Sequence, residues 1–266
     1  MADALRLYFR LLGVSLKSQM EYRVSFLMQG TGIMLIFLIE LAGILALFDR
    51  FGRLGTWSLP EVALLYGMVH TSFSLAELSG RGFDEFSGHV RTGDFDRILL
   101  RPRSTLLQVA GLKLPLHRLG RHLQGVVVLL WALWALGIPL TPARISLLAL
   151  AVTGGAMTFY GVFILYAVVC FWTVESLEMM NIVTHGGLEA GQYPLDIYRP
   201  WLRRVFYVVP VACAAWLPSF AILGRTPPPG IPVLLPWLAP LAGPAFLLVA
   251  ARTWEFGVRR YRSTGS

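Results

Sequence analysis

Residues 81–121 read RGFDEFSGHVRTGDFDRILLRPRSTLLQVAGLKLPLHRLGR, and the meaning of this polar interval decides the fold. Eight of the chain's 23 Lys and Arg lie in it (Arg81, Arg91, Arg97, Arg101, Arg103, Lys113, Arg118 and Arg121), with Asp84, Glu85, Asp94 and Asp96. Long apolar runs stand on either side. Over 266 residues the chain is 56% hydrophobic and only 14% charged, with a mean hydropathy of +0.62. A soluble domain carries about 25% charged residues, and it needs a wettable exterior that this composition cannot supply. Lipid as solvent removes the conflict. The interval then becomes the main surface shown to one aqueous side.

Working outward, a first span covers 24–48, with Gln29 and Glu40 as its polar members. At 1.5 Å per residue it exceeds a hydrocarbon core of about 30 Å. Trp57 ends the following loop, where an aromatic suits the membrane interface. A second span, 59–78, contains His70, Thr71, Ser72, Ser74 and Glu77, and is expected to face protein or a water-filled cavity. Beyond the interval, residues 104–121 read as a short coupling helix leading into a third span, 123–138. Pro139 and Pro142 mark a turn, and a fourth span at 145–172 is rich in small residues that favour helix packing. Residues 179–204 form a second polar interval. The fifth span, 205–223, is kinked by Pro210 and Pro218, and the sixth covers 231–251. Before all of these, residues 3–19 suit an amphipathic interfacial helix, with Arg6, Arg10, Gly13 and Lys17 on one stripe.

The expectation is an all-α polytopic membrane protein, 1–266 forming a single permease-like domain of six spans. Charge tests the topology. The N-terminus carries four Lys and Arg, the 81–121 interval eight, the 179–204 interval three and the tail four; nineteen therefore face four on the opposite loops, Arg50, Arg53, Arg144 and Arg225. Positive-inside bias gives N-in, C-in. The same bias accounts for the net charge of +8 without nucleic acid as a partner. No small-residue cleavage site follows a short apolar stretch near the start, so no signal peptide is expected.

Familiar chemistry is missing from the sequence. A phosphate-binding loop requires glycine ahead of a Lys-Ser or Lys-Thr pair, yet Leu16 precedes Lys17-Ser18. His117 and His122 are five apart, so they face different ways, and no HExxH or GxSxG occurs. No metal, catalytic or cofactor-binding residue is expected. Cys170 and Cys213 read as small buried hydrophobes. Glu40, His70 and Glu77 lie inside apolar helices, where an ionisable group is costly. They are candidates for a substrate or proton pathway, or else structural pairing partners; Glu77 can pair with Arg81 at i+4. A stand-alone ion- or proton-coupled transporter built on these three is the alternative reading.

Two segments carry a family resemblance. Thr92–Pro102, TGDFDRILLRP, followed by Leu107-Gln108-Val109, resembles the first cytoplasmic loop of ABC type-2 transporter permeases. Gln192–Arg203, QYPLDIYRPWLR, with Pro210-Val211-Ala212, Pro218 and Leu223-Gly224-Arg225, is similar to a six-helix branch of the same family. The resemblance implies a membrane-spanning half-transporter in a cell inner or plasma membrane, paired with a second copy or a homologous permease. Separate ATPase subunits would hold ATP and Mg and drive export. Arg91, Asp94, Phe95, Asp96, Arg97 and Arg101 are then expected at the ATPase-coupling interface.

Overall fold

The computed structural model describes residues 13, 23–83, 86–112, 118–173 and 177–261. Apart from Gly13, the amphipathic segment 3–19 lies outside the described residues. Within them the chain is helical; pairing of extended backbone is confined to a bridge between Leu54 and Trp57.

Helix α1, Arg23–Phe51, is an apolar rod whose residues are mostly exposed. Helix α2, Leu59–Gly80, is its opposite. It starts where Ser58 N donates to Glu61 Oε2 at 2.8 Å, with Pro60 in the first turn, and is buried on all sides from Glu61 through Ser74. A 3-10 turn at Arg81–Phe83 leads to three six-residue helices, α3 Phe86–Arg91, α4 Asp94–Leu99 and α5 Thr105–Ala110. Then come α6 Leu119–Leu136, closed by Gly137 at φ 59°, and α7 Pro142–Val169, opened by the Thr141 cap. The remainder is α8 Leu177–Gly191, α9 Pro200–Val208, α10 Trp216–Leu223, α11 Leu235–Leu238 and α12 Ala242–Arg260.

Helices α6 and α7 pack on α2, and α12 packs on α7. The α2–α6 crossing depends on glycine, because a Cβ on Gly67 would stand 2.7 Å from the Leu129 backbone. Among the described residues four segments are long and apolar enough to cross a membrane, Leu27–Phe51, Leu119–Leu136, Pro142–Val169 and Leu235–Arg260, and the bent pair Pro200–Val208 and Pro210–Leu223 adds a fifth if counted as one span. Helix α2 is not one of them, and its burial explains why. A helix enclosed by protein needs partners for its polar groups, not lipid-level hydropathy.

The region expected to form a fifth span kinked by Pro210 and Pro218 is sharply bent. Pro200–Val208 and Pro210–Leu223 are bent by 75°. Contacts along α2 give the path. His185 meets Phe73 at 5.8 Å, Gln192 meets His70 at 2.9 Å, and Asp196 accepts from Trp57 Nε1 at 2.9 Å. Helix α8 thus climbs antiparallel to α2 and delivers Asp196 to the Trp57 end of the bundle. The chain next dips to Ala214, which sits beside Ser72 and Gly155, and returns to Trp57 through Phe220 and Arg225. Residues 199–225 therefore enter and leave at one end. The far end of the 179–204 interval thus stands beside Trp57, while its helical part, α8, runs along α2 toward the other end.

Candidate functional site

The end of the bundle opposite Trp57 is built by the charged interval. Gly93, at φ 73°, turns the chain between α3 and α4, a conformation that a side chain would strain. The turn aims alternate faces of α4 in opposite directions. Phe95 and Ile98 point inward, and Phe95 is 0% exposed. Around it stand Phe86 at 5.0 Å, Tyr261 at 5.0 Å, Phe171 at 5.5 Å and Trp254 at 6.2 Å between ring centroids. Trp254 Nε1 also donates to Thr105 Oγ1 at 3.0 Å. Gln108 Nε2 donates to the Ile98 and Arg103 carbonyls at 3.3 and 3.2 Å. Three short helices, each too short to be stable alone, are thereby fixed to the ends of α7 and α12.

The six expected coupling residues thus divide. Arg91, Arg97 and Arg101 are exposed, Arg97 at 82% of its side chain, and Asp94 is half exposed. Asp94 accepts from Thr92 Oγ1 at 2.9 Å and pairs with Arg97 at 3.6 Å. Asp96 is half-buried, and its charge acts on Tyr261. Phe95 is no surface residue at all. It anchors the helix that presents the others.

The second constellation lies inside the bundle, along one stripe of α2. Tyr66, His70, Ser74, Glu77 and Arg81 follow at intervals of three or four residues, so they share a face. Glu77 is 0% exposed and receives three guanidiniums: Arg81 at 3.1 Å, Arg121 at 3.0 Å, and Arg118. Arg121 also lies over the Phe73 ring at 5.3 Å. Further along, Ser74 Oγ and His122 Nδ1 are 2.8 Å apart. His70 stacks on Tyr66 with centroids 3.8 Å apart, and its Nε2 bonds to Gln192 Oε1. Gln192 Nε2 in turn donates to Glu189 Oε2 at 2.8 Å, while Gln124 Nε2 donates to the Tyr66 hydroxyl at 3.3 Å. Glu40 faces this group from α1, within electrostatic reach of Glu189 and Arg121. Tyr193 stands in the turn after α8, one residue beyond Gln192.

His70 and Glu77 therefore share one stripe of α2, each with its own hydrogen-bonded partners, and Glu40 lies within electrostatic reach of Arg121. Glu77 takes Arg81 at i+4 as its spacing allows. Its long-range partners Arg118 and Arg121, and the roles of Gln192 and Glu189, escape a sequence reading. One signal was present: two arginines three residues apart at the mouth of an apolar helix need an acid if they are to be buried. Cys170 is buried and donates from its thiol to the Tyr166 carbonyl, Cys213 is half-buried, and neither is in a disulfide. Among the described residues no three His, Cys, Asp or Glu are grouped to hold a metal.

A family model described as ABC-2 family transporter protein matches residues 34–265. No curated protein and no solved structure matches the chain.

Proposed function

The chain belongs to the ABC-2 family of transporter proteins, and from that premise we propose that it is the membrane-spanning permease subunit of an ATP-driven exporter. Two such subunits, identical or homologous, enclose the substrate pathway in a cell inner or plasma membrane. Separate ATPase subunits bind the cytoplasmic end and carry the ATP and Mg. The observation that carries this reading is the build of α3 to α5: charges outward on α4, and Phe95 inward in an aromatic cluster with Phe171 and Trp254. A push on the exposed charges moves the inner ends of α7 and α12, because close-packed rings transmit displacement without taking it up. Arg91, Asp94, Arg97 and Arg101 contact the ATPase through charge-assisted bonds; Asp96 and Phe95 hold the geometry.

The topology is six passages with both termini in the cytoplasm, α8 and the turn after it making the fifth. Residues 199–225 re-enter from the outer side. Arg199, Arg203 and Arg204 then move to the outer count, and sixteen Lys and Arg still face seven, the bias that the positive-inside rule requires. The proton-coupled alternative loses support at Glu77, because its carboxylate is already engaged by three guanidiniums from the chain itself.

Reconstitution with the ATPase that co-purifies from native membranes tests the assignment. Reversing Asp94 and Arg97 together (Asp94→Lys, Arg97→Glu) should abolish permease-stimulated ATP hydrolysis or reduce it at least tenfold. Full stimulation in an intact complex would sink the coupling role of α4. Transport by the purified chain alone under a proton gradient would favour the alternative.

A further inference from the structure

Phe171 and Trp254 turn inward to the cluster around Phe95, and each has an outward companion on the lipid-facing side, Trp172 and Phe256. Trp172, just past the end of α7, is exposed, and its ring stands 6.4 Å from that of Phe256 on α12. Arg260 Cζ lies over the Phe256 ring at 4.4 Å. Leu248, Val249, Arg252, Thr253 and Phe256 line an open groove of about 460 Å³ on this side of α12. Positions 249, 252, 256 and 260 recur at three or four residues and so share a face, apolar above and basic toward the helix end. Thr253 Oγ1 donates to the Val249 carbonyl at 2.8 Å, which leaves the guanidiniums as the donors of the groove. Arg252 and Arg260 are both exposed, and neither is in an ion pair among the described residues. Glu255 is the one acid in the sequence between them.

We propose that this corner binds an anionic phospholipid from the leaflet on the side of the charged interval, with its phosphate at Arg252 and Arg260 and an acyl chain along Leu248 and Val249. Arg260 lies over Phe256 and Arg252 lines the same groove as that ring, so one phosphate at the level of Phe256 meets both. Guanidinium gives phosphate oxygens charge-assisted, often bidentate, bonds, and basic pockets on the cytoplasmic side of membrane helices take anionic headgroups. Trp172 marks the headgroup level, where tryptophan is favoured. Charge disfavours the other occupants. A second copy docked here about a two-fold axis would set the same arginines against each other, and residues 3–19 would bring Arg6, Arg10 and Lys17 to a face that is already basic. Because Phe171 and Trp254 also hold Phe95, a lipid on their outward companions braces the helix ends to which α4 is fixed. The site depends neither on the cargo nor on an ATPase.

Native mass spectrometry of the purified full chain tests the site, after delipidation in a neutral detergent and addition of dioleoyl phosphatidylglycerol or dioleoyl phosphatidylcholine. The two lipids share their acyl chains and differ in headgroup charge. Phosphatidylglycerol should be retained saturably, and about tenfold or more tightly than phosphatidylcholine, the scale expected for two arginines at a lipid surface. Arg252→Gln with Arg260→Gln should abolish that preference, and Arg53→Gln, at the Trp57 end, should keep it. Equal retention of the two lipids by the wild-type chain overturns the proposal whether or not a variant folds. So does an undiminished preference in the double variant. Retention of phosphatidylglycerol against excess inorganic phosphate supports a lipid site; its displacement would make the groove a site for free anions and overturn the lipid assignment.

Discussion

Glu77 holds the inner half of the bundle together, because three guanidiniums from two elements depend on its two oxygens. Buried charge is tolerable only when paired. Glu77→Gln keeps the shape and removes the charge, so the arginines are left without their acid. The expected loss is about 3–5 kcal/mol, the usual result of removing one partner of a buried pair. Thermal unfolding in detergent, followed by tryptophan fluorescence, should show a large fall in midpoint. Glu40→Gln, which removes a charge whose Oε2 has no hydrogen-bond partner among the described residues, should leave the midpoint unchanged or raise it. A second single-residue test lies at Gly93, whose φ of 73° suits no β-branched side chain. Gly93→Val should strain the turn by about 1–3 kcal/mol and misdirect α4; its mark would be lost ATPase stimulation with the membrane helices still folded.

At the level of elements, α4 shows how six residues can serve two purposes. Its inward face is packed as tightly as a soluble core, and its outward face is left to the partner. Phe95→Ala should therefore act differently from reversal of Asp94 and Arg97. Removing the ring leaves a cavity among Phe86, Phe171, Trp254 and Tyr261, at a cost of about 3–5 kcal/mol for a buried phenylalanine. Limited proteolysis should then cut within 86–103 well before the wild type is cut. The charge reversal should leave that protection intact and lower ATPase stimulation only. If both variants lose protection equally, the division of α4 into anchor and docking faces is wrong. Helix α2 offers the complementary case: its hydroxyls, imidazole and carboxylate are affordable because α6, α7 and α8 enclose them.

For the whole molecule, the decisive measurement is sidedness. Ile197, 45% exposed, lies next to Asp196 at the Trp57 end. With Cys170 and Cys213 replaced by alanine, Ile197→Cys should react with a membrane-impermeant maleimide from the same side as Arg53→Cys, and from the side opposite Arg97→Cys. Labelling of Ile197→Cys together with Arg97→Cys would restore the cytoplasmic placing of the 179–204 interval. The sequence by itself determined the class of protein: apolar runs of membrane length, a charged interval between them, a one-sided surplus of Arg and Lys, and the two segments that resemble the permease family. Those are properties of composition and local spacing, and lipid imposes them on any chain that crosses it. Only the tertiary structure decided that Phe95 is an anchor, that Arg118 and Arg121 belong to Glu77, and that His70 meets Gln192. It also decided that 200–223 is a pair of helices bent by 75°. The physical reason is common to all of these. Each depends on which helix lies beside which, over separations of 40 residues or more in the case of Glu77 and its arginines, and hydropathy along one helix does not say which neighbour will meet its polar stripe.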